Sequence, residues 1–130
     1  MLRSMTTTPV TGLIAFTIDC SDAGRLARFY ADLMGGEITG EYPEYGYAQV
    51  TARDATLNFQ RVQDYARPEW PGQEHPQQFH LDLRVSDLEL GVKHAAGLGA
   101  AEAPEQPARD SYRVMIDPDG HPFCLCPPRD

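Results

Sequence analysis

The stretch IAFTIDCSD, residues 14–22, returns in worn form as FHLDLRVSD at residues 79–87. Sliding the chain on itself by 65 positions, from 22 to 87, lays Ser21-Asp22 on Ser86-Asp87, Leu33 on Leu98 and Glu37 on Glu102. A chain of 130 residues makes one ordinary domain, so the repeat splits a single core between two like halves. That excludes most folds open to a chain of this length.

Each half follows one plan. In GLIAFTIDC, residues 12–20, strict alternation puts Ile14, Phe16, Ile18 and Cys20 on one face and Ala15, Thr17 and Asp19 on the other. That is the pattern of a half-buried strand. In SDAGRLARFYADLMGG, residues 21–36, Ser21 or Asp22 can cap a helix. Leu26, Phe29, Tyr30 and Leu33 recur at helical spacing as core residues, and Gly35-Gly36 ends the run. Short strands are predicted in EITGEY (37–42), YGYAQVTA (45–52) and TLNFQRV (56–62). The second half repeats this with FHLDLRVSD, a helix in LELGVKHAAGLG stopped by Gly99, and strands in AAEAP (100–104), SYRVMI (111–116) and PFCLC (122–126). The fold class is therefore α+β: two tandem βαβββ modules at 12–62 and 78–127, within one domain spanning 12–128.

Between them QDYARPEWPGQEHPQ, residues 63–77, is too rich in Pro and Gly for a long helix or a central strand. It reads as a linker, with a lid built on Tyr65 and Trp70 as the functional alternative. Residues 1–11 read as a frayed tail. DPDG at 117–120 suits a turn into the last strand, and lacks the later ligands of a calcium loop.

Composition narrows the partners. Apolar residues at 42% and charged residues at 23% are those of a globular chain, and the net charge of −8 repels nucleic acid and anionic membrane surfaces. A small molecule is the expected partner. No apolar run has the length of a signal peptide or a membrane span, and the cysteines Cys20, Cys124 and Cys126 are odd in number. A reduced, cytoplasmic setting is expected.

The strand faces opposite the apolar ones carry Thr17 and Asp19, then His80, Asp82 and Arg84, with Asn58 and Gln60 on the fourth strand and Cys124 and Cys126 on the last. Unpaired polar burial is costly, so such a face suggests a wet cavity. A solvated surface or a dimer contact would look the same. His80 can be a structural or a substrate-facing histidine. Arg84 can hold an anionic group or join Asp19 and Asp82 in an ion-paired rim. His121, in its GHP turn, is expected to be exposed, and His94 lies on a helix.

These stretches, SDAGRLARFYADLMGG, FHLDLRVSD and DPDGHPFCLC, resemble the vicinal oxygen chelate superfamily, the glyoxalase, bleomycin-resistance and extradiol dioxygenase group, and in particular its compact bacterial glyoxalase-like members. The resemblance covers about residues 12 to 127. It implies a curved, mostly antiparallel sheet around a central cup, and commonly a homodimer. It also implies up to four metal ligands, one from the first and last strand of each module, at Ala15, Gln60, His80 and Cys124. Ala15 has no electron pair to give, so the first copy has lost its ligand, and a metal would rest on His80, Gln60 and Cys124.

Three functions follow. The leading one is a metal-free module binding a small organic molecule in the cup, with Thr17, Asp19, Asn58, Gln60, His80, Asp82, Arg84, Cys124 and Trp70 as ligand-binding residues and no cofactor. The alternative is a divalent-metal-dependent lyase, isomerase or dioxygenase acting on vicinal oxygens. Between them stands catalysis without metal, His80 acting as general base.

Overall fold

The structure is a computed structural model and describes residues 7–128. Residues 7–11 of the expected tail carry no helix or strand, and residues 1–6 lie outside the described residues.

Both halves fold to the same order: β1 (Phe16–Cys20), α1 (Ala23–Met34), β2 (Glu37–Tyr42), β3 (Tyr47–Ala52) and β4 (Ala55–Arg61), then β5 (Leu81–Arg84), α2 (Leu88–Gly97), β6 (Ala101–Glu102), β7 (Arg113–Ile116) and β8 (Pro122–Cys126). A short 3-10 turn, Pro43–Tyr45, joins β2 to β3. The strands form two four-stranded sheets, β1-β4-β3-β2 and β5-β8-β7-β6. In each, the strand before the helix lies parallel to the last strand of its half and the remaining pairs are antiparallel. The expected α+β architecture of two tandem modules is the one observed.

Helix ends sit where the sequence puts them. Asp22 accepts from the Arg25 N–H at 3.0 Å and Asp87 from the Leu90 N–H at 2.9 Å, so the Ser-Asp pair caps through its aspartate in both copies. Gly35 closes α1 at φ 68°, in the left-handed region that a β-carbon disfavours.

One core serves both halves. Leu26, Phe29 and Tyr30 of α1 meet Val50, Leu57 and Phe59 of the first sheet and Met115, Phe123 and Leu125 of the second in a single cluster. The rings do most of the joining: Tyr30 stacks on Phe59 at 5.5 Å, and Phe29 meets Phe123 edge-on at 6.1 Å. Such pairs add about 0.5–1.5 kcal/mol each to the burial of their surface. The alternation of β4, β5 and β8 therefore resolves as predicted: Leu57, Phe59, Leu81, Leu83, Phe123 and Leu125 join the core, and the polar residues between them face away.

β1 is the exception. Its pattern predicts Ile14 and Phe16 on the buried face, yet they are 89% and 38% exposed, while Cys20 at the other end is fully buried. β1 is an edge strand that begins only at Phe16, and the shared core takes in only Ile18 and Cys20 of it.

Candidate functional site

The turn between β7 and β8, residues 117–121, lies where the two halves meet. Asp117 and Asp119 are almost wholly buried, which is unfavourable for a carboxylate unless every oxygen is engaged. Asp117 accepts from its own turn, the Asp119 N–H at 2.8 Å and the His121 N–H at 3.0 Å. It also accepts the Tyr30 hydroxyl of α1 at 2.7 Å. Asp119 accepts the backbone N–H of Ser21 at 2.8 Å, its hydroxyl at 2.7 Å, and an Arg25 N–H at 3.1 Å. From the connecting segment, Tyr65 donates its hydroxyl to the Asp119 carbonyl at 2.9 Å and Arg67 donates to the Pro118 carbonyl at 3.0 Å. Gly120, at φ 96°, lies so close to Arg67 that an added β-carbon would collide with its Cγ.

His121 is part of this junction, contrary to the expectation that its turn leaves it exposed. Its Nδ1 lies 2.7 Å from Asp117 Oδ2, and its Nε2 lies 2.8 Å from the Asp19 carbonyl and 3.1 Å from the Tyr65 hydroxyl. A carbonyl and a carboxylate only accept, so both ring nitrogens carry protons and the ring is an imidazolium. Burial alone would lower its pKa, but the hydrogen bond and charge of Asp117 outweigh that and raise it. The turn is longer than its counterpart in the first half, where β3 and β4 are separated only by residues 53–54. DPDG signals a turn, but a residue-by-residue reading had no means of seeing what that turn rests on.

Two cavities flank the polar faces. The smaller, about 340 Å³, lies over the second sheet and is lined by Trp70, Gln77, His80, Asp82, Tyr112, Val114, Cys124 and Cys126 with Pro122. This face is less polar than its strand pattern suggests: Ala103, Val114 and Cys124 form a small buried cluster with Trp70, Tyr112, Ile116 and Cys126 against it. β5 presents His80 just before its start and Asp82 within it, and Asp82 pairs directly across from Cys124 on β8. His80 Nε2 is 3.2 Å from Asp82 Oδ1. Ligand atoms of His80, Asp82 and Cys124 all lie within 4.8 Å of one another. Burial, and then the Asp82 charge, push the Cys124 thiol up to about 12, so without a cation it stays protonated and hydrogen-bonded to Asp82.

The larger cavity, about 650 Å³, lies where β1, the connecting segment, the start of β5 and the 117–122 turn meet. Thr17 and Asp19 line this one, and His80 borders both.

The other sequence candidates lie elsewhere. Asn58 and Gln60 line neither cavity. Gln60 donates its amide to the carbonyls of Tyr45, Gly46 and Arg61 at 3.2, 3.4 and 3.2 Å, on the first sheet. Asn58 belongs to a row of side-chain hydrogen bonds across that sheet, from Thr17 through Asn58 and Gln49 to Thr39. Arg84 donates to the Pro127 carbonyl at 2.8 Å and also lines neither cavity. His94 hydrogen-bonds the Leu33 carbonyl at 3.3 Å.

For a metal, the four-position arrangement that the resemblance implies does not fit: Ala15 has no donor, and Gln60 lines neither cavity. A different set does fit, with Asp82 taking the place of Gln60 beside His80 and Cys124. An imidazole, a carboxylate and a sulfur within 4.8 Å of one another suit a divalent ion of intermediate softness.

Two sheets of this order, repeated around α1 and α2, define a glyoxalase-type fold. The family profile described as glyoxalase-like domain matches residues 15–126, and the chain belongs to that family, within the vicinal oxygen chelate superfamily. Among solved structures, the fosfomycin resistance protein FosX from Mesorhizobium loti is similar at 16% identity and a TM-score of 0.68, over 92% of this chain and 94% of that one. A glyoxalase family protein from Enterococcus faecalis shares 20% identity at a TM-score of 0.65, over 88% and 96% of the two chains. A FosX variant from Listeria monocytogenes, solved with Mn(II) and 1S,2S-dihydroxypropylphosphonic acid, shares 14% identity at 0.66, over 90% of each. No curated protein matches the sequence.

Proposed function

We propose that this protein binds a small organic molecule against the polar face of the second sheet, beneath Trp70. The observation that carries this reading is the cavity in which the Trp70 indole, the Tyr112 and Pro122 rings and the His80–Asp82–Cys124 cluster face one space. It combines apolar contact area with a few convergent polar groups, the usual make-up of a small-molecule site. We infer that two copies associate, which is supported by Leu13 and Ile14 standing 73% and 89% exposed before the edge strand β1. The first sheet's row of Thr, Asn and Gln side chains is a face that such a partner could bring opposite the cavity. A cytoplasmic setting belongs to this reading, supported by the buried thiols of Cys20 and Cys124. No helix among the described residues is long and apolar enough to cross a membrane.

Trp70 is the only tryptophan of the chain, so its emission reports this cavity alone. Small-molecule libraries screened for a change in that emission together with a rise in melting temperature should yield ligands that fail with His80→Ala. Ligands that stabilise the protein without touching the Trp70 signal or depending on His80 would move the site elsewhere.

A second reading is favoured by the His80–Asp82–Cys124 cluster: a divalent metal held by these three, on a lyase, isomerase or dioxygenase. Bound there, the ion would act as a Lewis acid on neighbouring oxygens of a substrate. Cys124 would give up its proton on binding, and Trp70 and Tyr112 would keep the site partly dry. Without an ion, the same pair supplies a general base, His80, with the Asp82 carboxylate 3.2 Å from its Nε2. Elemental mass spectrometry of protein purified without chelator separates these. Near-stoichiometric metal that is lost in His80→Ala supports the enzyme reading, and no metal in either protein after incubation with zinc, nickel, iron and manganese rejects it.

A further inference from the structure

The larger cavity plays no part in that function. Its wall is mostly apolar: Phe16, Ile18, Val62, Phe79 and Leu81 contribute, with the faces of Tyr30 and Tyr65. Its polar groups fall into two sets. Those at the junction are already satisfied, because the two N–H groups of His121 go to Asp117 and the Asp19 carbonyl and the Tyr65 hydroxyl goes to Asp119.

The other set includes two acids with no cation beside them. Asp19 and Glu74 line the cavity, and their carboxylates enter no ion pair among the described residues. No Lys or Arg lines it. Gln77 Oε1 is buried without any hydrogen-bond partner, alone in this among the described side chains. An unmet buried acceptor costs free energy until a donor reaches it.

From this arrangement we propose that the cavity at the junction of the two halves is a second ligand site, for an aromatic molecule bearing a protonated amine. The ring lies among Phe16, Phe79 and Tyr65, whose π faces also attract a cation. The ammonium donates to Gln77 Oε1 and is neutralised by Asp19 and Glu74. The overall charge of −8 favours approach of the same ligand. A carboxylate ligand would meet Asp19 and Glu74 with no Lys or Arg to offset them. The site stands independently of the one under Trp70, although Gln77 and His80 border both.

Three naphthyl probes that differ in one group test it: naphthylmethylamine, naphthylmethanol and naphthoate, titrated at neutral pH by calorimetry with amide and side-chain shifts followed by NMR. The amine should bind about tenfold tighter than the alcohol, and the carboxylate weakest, as expected for a cation gaining both carboxylate and ring contacts. Shifts should centre on Tyr65 and Phe79. Asp19→Asn with Glu74→Gln should bring the amine down to the affinity of the alcohol, and Phe79→Ala should weaken the amine and the alcohol alike. Equal or reversed preference, a preference that survives the double substitution, shifts confined to Trp70 and Cys126, or no binding at millimolar amine would each overturn the proposal. None of these outcomes depends on the Trp70 screen.

Discussion

His121 and Asp117 stand four residues apart in one turn and share a hydrogen bond of 2.7 Å, while the other nitrogen of the same ring reaches the Asp19 carbonyl of the first half at 2.8 Å. One imidazolium thus ties the two halves of the repeat. Its pKa is raised, the pull of Asp117 exceeding the cost of burial. A base whose folded pKa lies above its unfolded value of about 6.5 stabilises the fold fully below that pH and loses the contribution as pH climbs through the higher folded value. Urea midpoints should therefore fall for this group from about pH 6.5 upward, and the gap between the native protein and His121→Gln should be widest at pH 6 and narrow by pH 9. A gap that stays constant over that range would show that the ring is neutral.

Tyr30→Phe removes the hydroxyl that reaches Asp117 at 2.7 Å and leaves ring packing in place. Asp117 is buried and keeps its partners in its own turn, so the expected cost is about 1–3 kcal/mol, the range for an under-satisfied buried group. Equilibrium denaturation should show a lower midpoint with an unchanged slope.

Arg113 is only 2% exposed and bonds Glu89 at 2.6 Å, Glu102, and the Arg109 carbonyl at 3.0 Å. Replacing both acids with glutamine leaves a buried cation without counter-charge, for which about 3–5 kcal/mol is expected. Arg113→Met removes the cation itself and should cost less, because the remaining glutamates reach solvent. The order of the two melting temperatures checks this.

Cys124 should be slow to alkylate. With its pKa at about 12 against the usual 9.0, its thiolate fraction near neutral pH is roughly a thousandfold lower than that of an ordinary thiol. Iodoacetamide labelling followed by mass spectrometry should find Cys124 unmodified until the protein unfolds, and Asp82→Asn should speed it by removing a neighbouring negative charge. If the second functional reading holds, cadmium should produce a sulfur-to-metal absorption band that disappears in His80→Ala.

The repeat made the order of elements legible because two copies agreed: Ser-Asp before each helix, a glycine after it, and alternation in β4, β5 and β8 that resolved face by face. Legibility failed where a residue's fate depends on chain far away in sequence. Phe16 alternates as a buried residue and ends 38% exposed, because nothing in its own strand says that the shared core reaches only Ile18 and Cys20. His121 sits among turn-forming residues, and only the fold brings Asp19 and Tyr65 to its ring. Gln60 and Cys124 occupy equivalent places in the repeat, yet one amide is absorbed by local carbonyls and the other side chain meets His80 and Asp82. The position of a ligand could be counted from the cap; whether its neighbours leave it free could not.

A polypeptide made of two like halves can be divided at its seam only while each half keeps an interior of its own. Here the longer turn of the later half sets two buried acids against α1, one at its start and one at Tyr30, and Phe123 rests against rings of the earlier half. Cutting between residues 63 and 77 and expressing the pieces separately would take Tyr30 from Asp117 and Ser21 and Arg25 from Asp119, and bare the rings to water. What began as interchangeable copies has become a lock and its keeper, and descent along this route runs one way: either half can still change its surface, but neither can leave.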